Sequence, residues 1–263
     1  MGPDRILDKS KIIKMKDKLT KLCSSMGIPV RQLTDERMNI YRSQKFDEEI
    51  LVNSMTELNK ILEGNVITMG GFSACYKLLG FRKMRRVSND LDCVINEEGL
   101  KLLYDHFGDE IFQTKNYGDI FLEYNNIPVG FDLGETHGWI IPPSFFKDLK
   151  RFNFNGKKLT SISPEFLITL KARRSILKDK FFGKDAIDTA NILLAPYYKD
   201  NLNRIDFEKL GDLMRLHSSD SYETIERYIN FIESHKIHLK KKELPFFSES
   251  LSSLRSSVYN NYK

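Results

Sequence analysis

The stretch NVITM (65–69), GG (70–71), FSACYKLLG (72–80), FRKMRRVSN (81–89), DLDCVI (90–95) decides how the chain is read. Asn65–Met69 is short, β-branched and apolar, which is the pattern of a buried strand. Gly70-Gly71 closes it, and Phe72–Leu79 follows as a short helix ending at Gly80. After a polar, basic loop over 81–89, Asp90–Ile95 reads as a second strand. Strand side chains alternate, so Asp90 and Asp92 project to one face while Leu91 and Cys93 project to the other. Two carboxylates side by side repel unless a cation lies between them, and a divalent ion with oxygen ligands suits that position. Paired glycines at a strand-to-helix junction let backbone approach a ligand closely. The helix beyond them offers free N–H groups and a positive dipole end, a phosphate site to which Ser73 adds a hydroxyl. Neither GxGxxG nor GxxxxGK[ST] can be drawn here, so the dinucleotide and P-loop readings lack their motif.

Outward from this core, Ile50, Leu51, Met55, Leu58, Ile61 and Leu62 predict a helix over 46–63, with Gly64 at its C-terminal cap. Another helix is expected over 97–107. Strands at 119–124 and 127–133 flank Asn125-Asn126, a turn pair that tolerates positive φ. Asp132 lies on the second arm of that hairpin. If this arm neighbours the strand of Asp90 and Asp92, a third carboxylate joins the pair, and three acids suffice to hold two Mg²⁺ about 4 Å apart. Glu123 and Glu135 compete for that third place, but Asp132 sits within the apolar strand pattern. An amphipathic helix is expected over 7–23. Residues 134–160 read as loop-rich, with Gly134, Gly138, Pro142, Pro143 and Gly156. Ser163 suits an N-cap, Pro164 the first helical position and Glu165 the first turn. Helices should then cover 164–178, 184–195, 206–217 and 220–235, with one more in 244–263. The expected architecture is an α/β (α+β) domain over 1–150, including the N-terminal helices, followed by a helical domain over 151–263.

Composition limits the function classes. The chain has 263 residues, 41% of them hydrophobic and 11% aromatic, enough for a proper core and too apolar for whole-chain disorder. No stretch approaches the ~20 apolar residues of a membrane span. Met1–Lys21 alternates charged and apolar residues without the apolar run of a secretory leader, so a cytoplasmic protein without membrane association is expected. Three scattered cysteines support neither a disulfide scaffold nor a zinc knuckle. The charge balance of 41 Lys+Arg against 36 Asp+Glu is mildly basic. The excess concentrates in 147–185, where eleven basic residues face four acidic ones, a segment suited to an anionic ligand. His137 stands alone and reads as structural or solvent-facing, while His235 and His238 share a predicted helix end with Lys240–Lys242, where cations are favoured without any metal.

Strand, glycine pair, helix, D-x-D strand and a later acidic strand together resemble the nucleotidyltransferase superfamily related to DNA polymerase β. GGFSACYKLLG followed by RVSNDLD (86–92) is similar to the GG…R-x-S-x-D-L-D signature of the AbiE-type toxin nucleotidyltransferases of abortive-infection systems. Lys171 in LITLKARR, followed by KDAID (184–188), resembles that family's helical K…[RK]-D-x-x-D segment. The resemblance covers residues 45–195. It implies a nucleotidyltransferase-fold mixed sheet with flanking helices and a C-terminal helical bundle. It implies transfer of a nucleoside monophosphate from an NTP to an acceptor hydroxyl, with Mg²⁺ and release of pyrophosphate. Asp90, Asp92 and Asp132 would be the catalytic acids and metal ligands. Gly70, Gly71, Ser73 and Ser88 would hold the nucleotide, Lys171 would reach its phosphates, and Asp185 and Asp188 would line the opposite wall. The acceptor would be a protein, a tRNA end or a small molecule, and a toxin would have an antitoxin chain as partner. The alternatives are a non-catalytic nucleotide- or nucleic-acid-binding module on the same fold, and a helical interaction protein whose D-x-D is accidental.

Overall fold

In the computed structural model, the polar residues at helix starts do what their chemistry favours. Asp47 opens α1 (Glu48–Ile61) by accepting from the Glu49 N–H at 2.8 Å, which satisfies one of the helix's orphan donors. The structure describes residues 21, 23–27, 31–33, 46–76, 90–114, 120–132, 135–136, 139–140, 149–154, 156–177, 181–198, 205–219 and 221–263. Most of the expected helix over 7–23, the basic loop 81–89 with Ser88, Gly80 and His137 lie outside the described residues.

The remaining elements of the first half follow the alternation of apolar residues. They are β1 (Arg31–Leu33), β2 (Val66–Met69), α2 (Gly70–Tyr76), β3 (Leu91–Ile95), α3 (Glu97–Phe107), β4 (Ile111–Thr114), β5 (Ile120–Tyr124), β6 (Ile127–Asp132), β7 (Glu135–Thr136), β8 (Trp139–Ile140), β9 (Leu149–Phe154) and β10 (Lys157–Ile162). Asn96 caps α3 by accepting from Gly99 N–H at 2.7 Å. Asn125 and Asn126 take φ of 52° and 60° between β5 and β6, the left-handed pair that a tight hairpin turn requires. Eight strands form one mixed sheet in the order β1-β4-β5-β6-β3-β2-β10-β9. β3 runs antiparallel to β2 and parallel to β6. α1 covers one sheet face: its Leu51, Met55 and Leu58 are buried, as are Leu91, Cys93, Val129 and Phe131 of the strands, and Cys93 Sγ lies 3.6 Å from Met55 Sδ.

Two details differ from the reading of the sequence. The helix after β2 begins at Gly70 rather than Phe72, so the glycine pair forms its first turn. The segment expected to be loop-rich contains β9 and β10, which pair antiparallel, and β10 joins β2 in parallel. Of the described residues, the sheet unit comprises those from Lys21 to Ser73 and from Asp90 to Ile162, and the helical unit comprises Ala74–Tyr76 and Ser163–Lys263; a division at 150/151 would fall inside β9.

The helical unit comprises α4 (Pro164–Leu177), α5 (Gly183–Tyr198), α6 (Phe207–His217), α7 (Tyr222–Ser234) and α8 (Leu244–Tyr262). α5 is buried nearly all round through Ile192–Ala195, as befits a central helix. The Ser163 carbonyl accepts from Leu167 N–H at the start of α4. Its hydroxyl, expected to cap the helix, is buried and makes no hydrogen bond among the described residues. α6 crosses α8 closely at Gly211, where an added Cβ would lie 2.3 Å from Ser257 Oγ and 3.0 Å from the Ser257 carbonyl carbon. Gly211→Ala should push the two helices apart and destabilise the protein by about 1–3 kcal/mol. A urea-unfolding midpoint equal to the parent's would show that this crossing has slack.

Candidate active site

β3 and β6 carry Asp92 and Asp132, and Asp90 stands just before β3. Their register sets Asp92 opposite Gly130 and Val94 opposite Asp132. Paired residues share a sheet face, so Asp92 and Asp132 lie on the same face of neighbouring strands, their Cα atoms about 8 Å apart from strand spacing and rise. Asp90 immediately precedes the strand and is exposed, whereas Asp92 and Asp132 are half-buried. This is the face away from α1. Cys93, on the covered face, is fully buried. Burial, and then the negative charges of Asp92 and Asp132, push its thiol well above the usual range.

Gly70 sets the immediate surroundings of Asp92. Its φ is +66°, and an ideal Cβ there would lie 2.0 Å from Asp92 Oδ2 and 2.7 Å from Asp92 Cβ and Cγ. Only a residue without a side chain lets the β2–α2 turn lie against that carboxylate. Gly130 stands on the other side, with a hypothetical Cβ 3.9 Å from Asp92 Oδ1. Gly130 was not singled out from the sequence; its position beside Asp92 exists only through β3–β6 pairing.

The remaining expected residues are placed as follows. Gly71 is buried in the first turn of α2. Ser73 is fully buried and its hydroxyl donates to Thr68 Oγ1 at 2.8 Å; Thr68 in turn donates to the Thr160 carbonyl at 3.0 Å. As placed, the Ser73 hydroxyl ties α2 to β2 instead of pointing to a ligand. Lys171, Asp185 and Asp188 do come together, inside the helical unit. Lys171 Nζ lies 2.7 Å from Asp188 Oδ2 and 3.7 Å from Asp185 Oδ1, with both aspartates fully buried. Arg174, which the reading of the sequence left without a role, also grips Asp185, its Nε donating at 2.9 Å and its Nη2 bonding the second carboxylate oxygen. The signal for this was present: Lys171 and Arg174 are three residues apart on α4, as are Asp185 and Asp188 on α5, the spacing that puts side chains on one helix face.

Among the described residues, no three His, Cys, Asp or Glu side chains stand close enough to enclose a metal ion by themselves. Mg²⁺ does not require that, because it is usually held by one or two carboxylates, waters and substrate phosphates. The oxygen-donor pair Asp90 and Asp92 fits such an ion.

The chain is similar over most of its length to a solved structure, the crystal structure of an antigenic nucleotidyltransferase-like protein from Paracoccidioides brasiliensis, with a TM-score of 0.53 and 16% identity, covering 83% of this chain and 100% of that one. The fold is nucleotidyltransferase-like. No protein-family model and no curated protein matches the sequence. Among the described residues, no helix is long and apolar enough to cross a membrane.

Proposed function

We propose that the chain is a metal-dependent nucleotidyltransferase that moves a nucleoside monophosphate from an NTP to an acceptor hydroxyl. The observation that supports this best is the pair Asp92 and Asp132 on one face of paired strands β3 and β6, with Asp90 immediately before β3, in a nucleotidyltransferase-like fold. Mg²⁺ held by Asp90 and Asp92 would neutralise charge on the triphosphate and polarise its α-phosphorus. Asp132, displaced along the neighbouring strand, takes the proton of the acceptor hydroxyl. The acceptor oxygen then bonds to the α-phosphorus, the bond to the β-phosphate oxygen breaks, and pyrophosphate leaves. Gly70 keeps the Asp92 carboxylate in place, and the Gly70-Gly71 backbone lies next to the triphosphate. In this reading Lys171, Asp185 and Asp188 fix α4 against α5. The similarity of GG…RVSNDLD to AbiE-type toxins extends the proposal to a toxin role with an antitoxin partner.

The test uses each α-labelled NTP with Mg²⁺ and cell extract, for the parent and for Asp92→Asn. The parent should label an acceptor; the variant should lose labelling by at least ~100-fold, the scale at which removal of one charge-stabilising group acts. Asp92→Asn should unfold at a urea concentration no lower than the parent, since it relieves like-charge repulsion with Asp90. NTP binding without any labelled acceptor, unchanged in Asp92→Asn, would overturn the enzyme reading in favour of a non-catalytic nucleotide-binding module.

A further inference from the structure

We infer that the β9–β10 hairpin is a docking rail for the phosphate backbone of a polynucleotide acceptor, an inference that rests on the transferase reading above. Sheet register carries it. Ser161 of β10 pairs with Thr68 of β2, and Thr68 pairs with Cys93 of β3. These three share the face that α1 covers. Alternation then puts Thr160 and Lys158, with Arg151 as the β9 partner of Thr160, on the opposite face, which is the face of Asp92 and Asp132. Arg151 and Lys158 are both exposed there. They sit on a diagonal of the β9–β10 pair, about 7–8 Å apart. Neither has an ion-pair partner among the described residues.

The position suits an acceptor rather than the nucleotide. β10 and β9 lie two and three strands from β3, about 10 and 14 Å away at normal strand spacing. A polymer whose terminal hydroxyl reaches Asp132 has further phosphates to place along the same face, and Arg151 and Lys158 meet them with positive charge. The surrounding sequence has the same sign: Lys147, Lys150, Arg151, Lys157 and Lys158 stand against Asp148 alone in 147–158. Salt-sensitive contacts of this kind to phosphate position a strand without reading its sequence.

Basic residues on an edge strand also discourage sheet-to-sheet aggregation, so the experiment must separate charge at this place from charge in general. Fluorescein-labelled single-stranded RNA and DNA oligonucleotides are titrated with the full-length chain, without NTP, over a salt series. The double variant Arg151→Gln with Lys158→Gln is compared with Lys241→Gln plus Lys242→Gln, two exposed residues of the helical unit whose loss changes net charge equally. The expected result is that the hairpin variant flattens the log affinity versus log salt slope by about 1.4, at 0.7 per lost phosphate contact on a single strand, while the control keeps the parent slope. An unchanged slope in the hairpin variant, or an equal loss in the control, overturns the proposal. So does a polyglutamate peptide that binds the parent with the same sensitivity to the hairpin variant, which would mark an acidic protein partner. Because no NTP is present, failure of the transferase reading appears in the labelling assay and failure of the rail appears here.

Discussion

Gly70→Ala should cost both stability and activity. The backbone at Gly70 is left-handed, with φ of +66°, which an L side chain adopts at a cost of about 1–2 kcal/mol. The new methyl would also stand 2.0 Å from Asp92 Oδ2 and 2.7 Å from its Cβ and Cγ. Asp92 is on a central strand hydrogen-bonded on both sides, so it cannot retreat without disturbing β2 or β6. Forced displacement of this kind costs a further 1–3 kcal/mol, roughly. Urea unfolding should therefore show a loss of about 2–5 kcal/mol on summing the two costs. Nucleotidyl transfer should fall by about 100-fold or more, since a misplacement near 1 Å of a reacting group has that effect. Gly130→Ala is the internal control. Its Cβ would meet Asp92 Oδ1 at 3.9 Å, an ordinary contact, and transfer should stay near the parent rate. Parent-like transfer by Gly70→Ala would remove Asp92 from the proposed chemistry.

Lys171→Ala should be the most destabilising single change in the helical unit. It leaves Asp188, fully buried and 2.7 Å from the ammonium in the parent, without that partner. Removing one side of a buried ion pair costs about 3–5 kcal/mol, because the remaining charge stays desolvated. Asp185 loses less, since Arg174 holds it at 2.9 Å through Nε. Replacing both members, Lys171→Met with Asp188→Leu, should recover most of the loss, as apolar pairs of similar volume often match a buried ion pair. The measurement is the urea midpoint of both variants, with NTP affinity across a salt series on the double variant. A double variant that is stable but binds NTP many times more weakly, with a flattened salt dependence, would make Lys171 a phosphate ligand and overturn its assignment as a clamp.

Much of this architecture was legible in the chain because its determinants are local. The alternation of Asp92 and Val94 against Leu91, Cys93 and Ile95 settles which side chains share a face without any partner strand. Asn125-Asn126 signals its turn by conformational preference alone. The bounds of α1 and α3 follow from helical stripes and the caps at Asp47 and Asn96. The β9–β10 hairpin does carry a local signal, since Asn155-Gly156 is a strong turn pair and Gly156 takes φ of +82°. The glycines and prolines around it in 134–160 carry the opposing signal of loop.

By itself the sequence determined the D-x-D strand, the glycine turn before it and the helical second half, all written in residues within a few positions of one another. Only the tertiary structure decided that β6 lies parallel to β3, which brings Asp132 to the face of Asp92. It alone set Gly70 against the Asp92 carboxylate, and gave Lys171 to Asp188 and Arg174 to Asp185. The reason is physical: strand order, register and the pairing of buried charges depend on which distant segments exclude water together, and residue spacing along the chain does not encode that meeting.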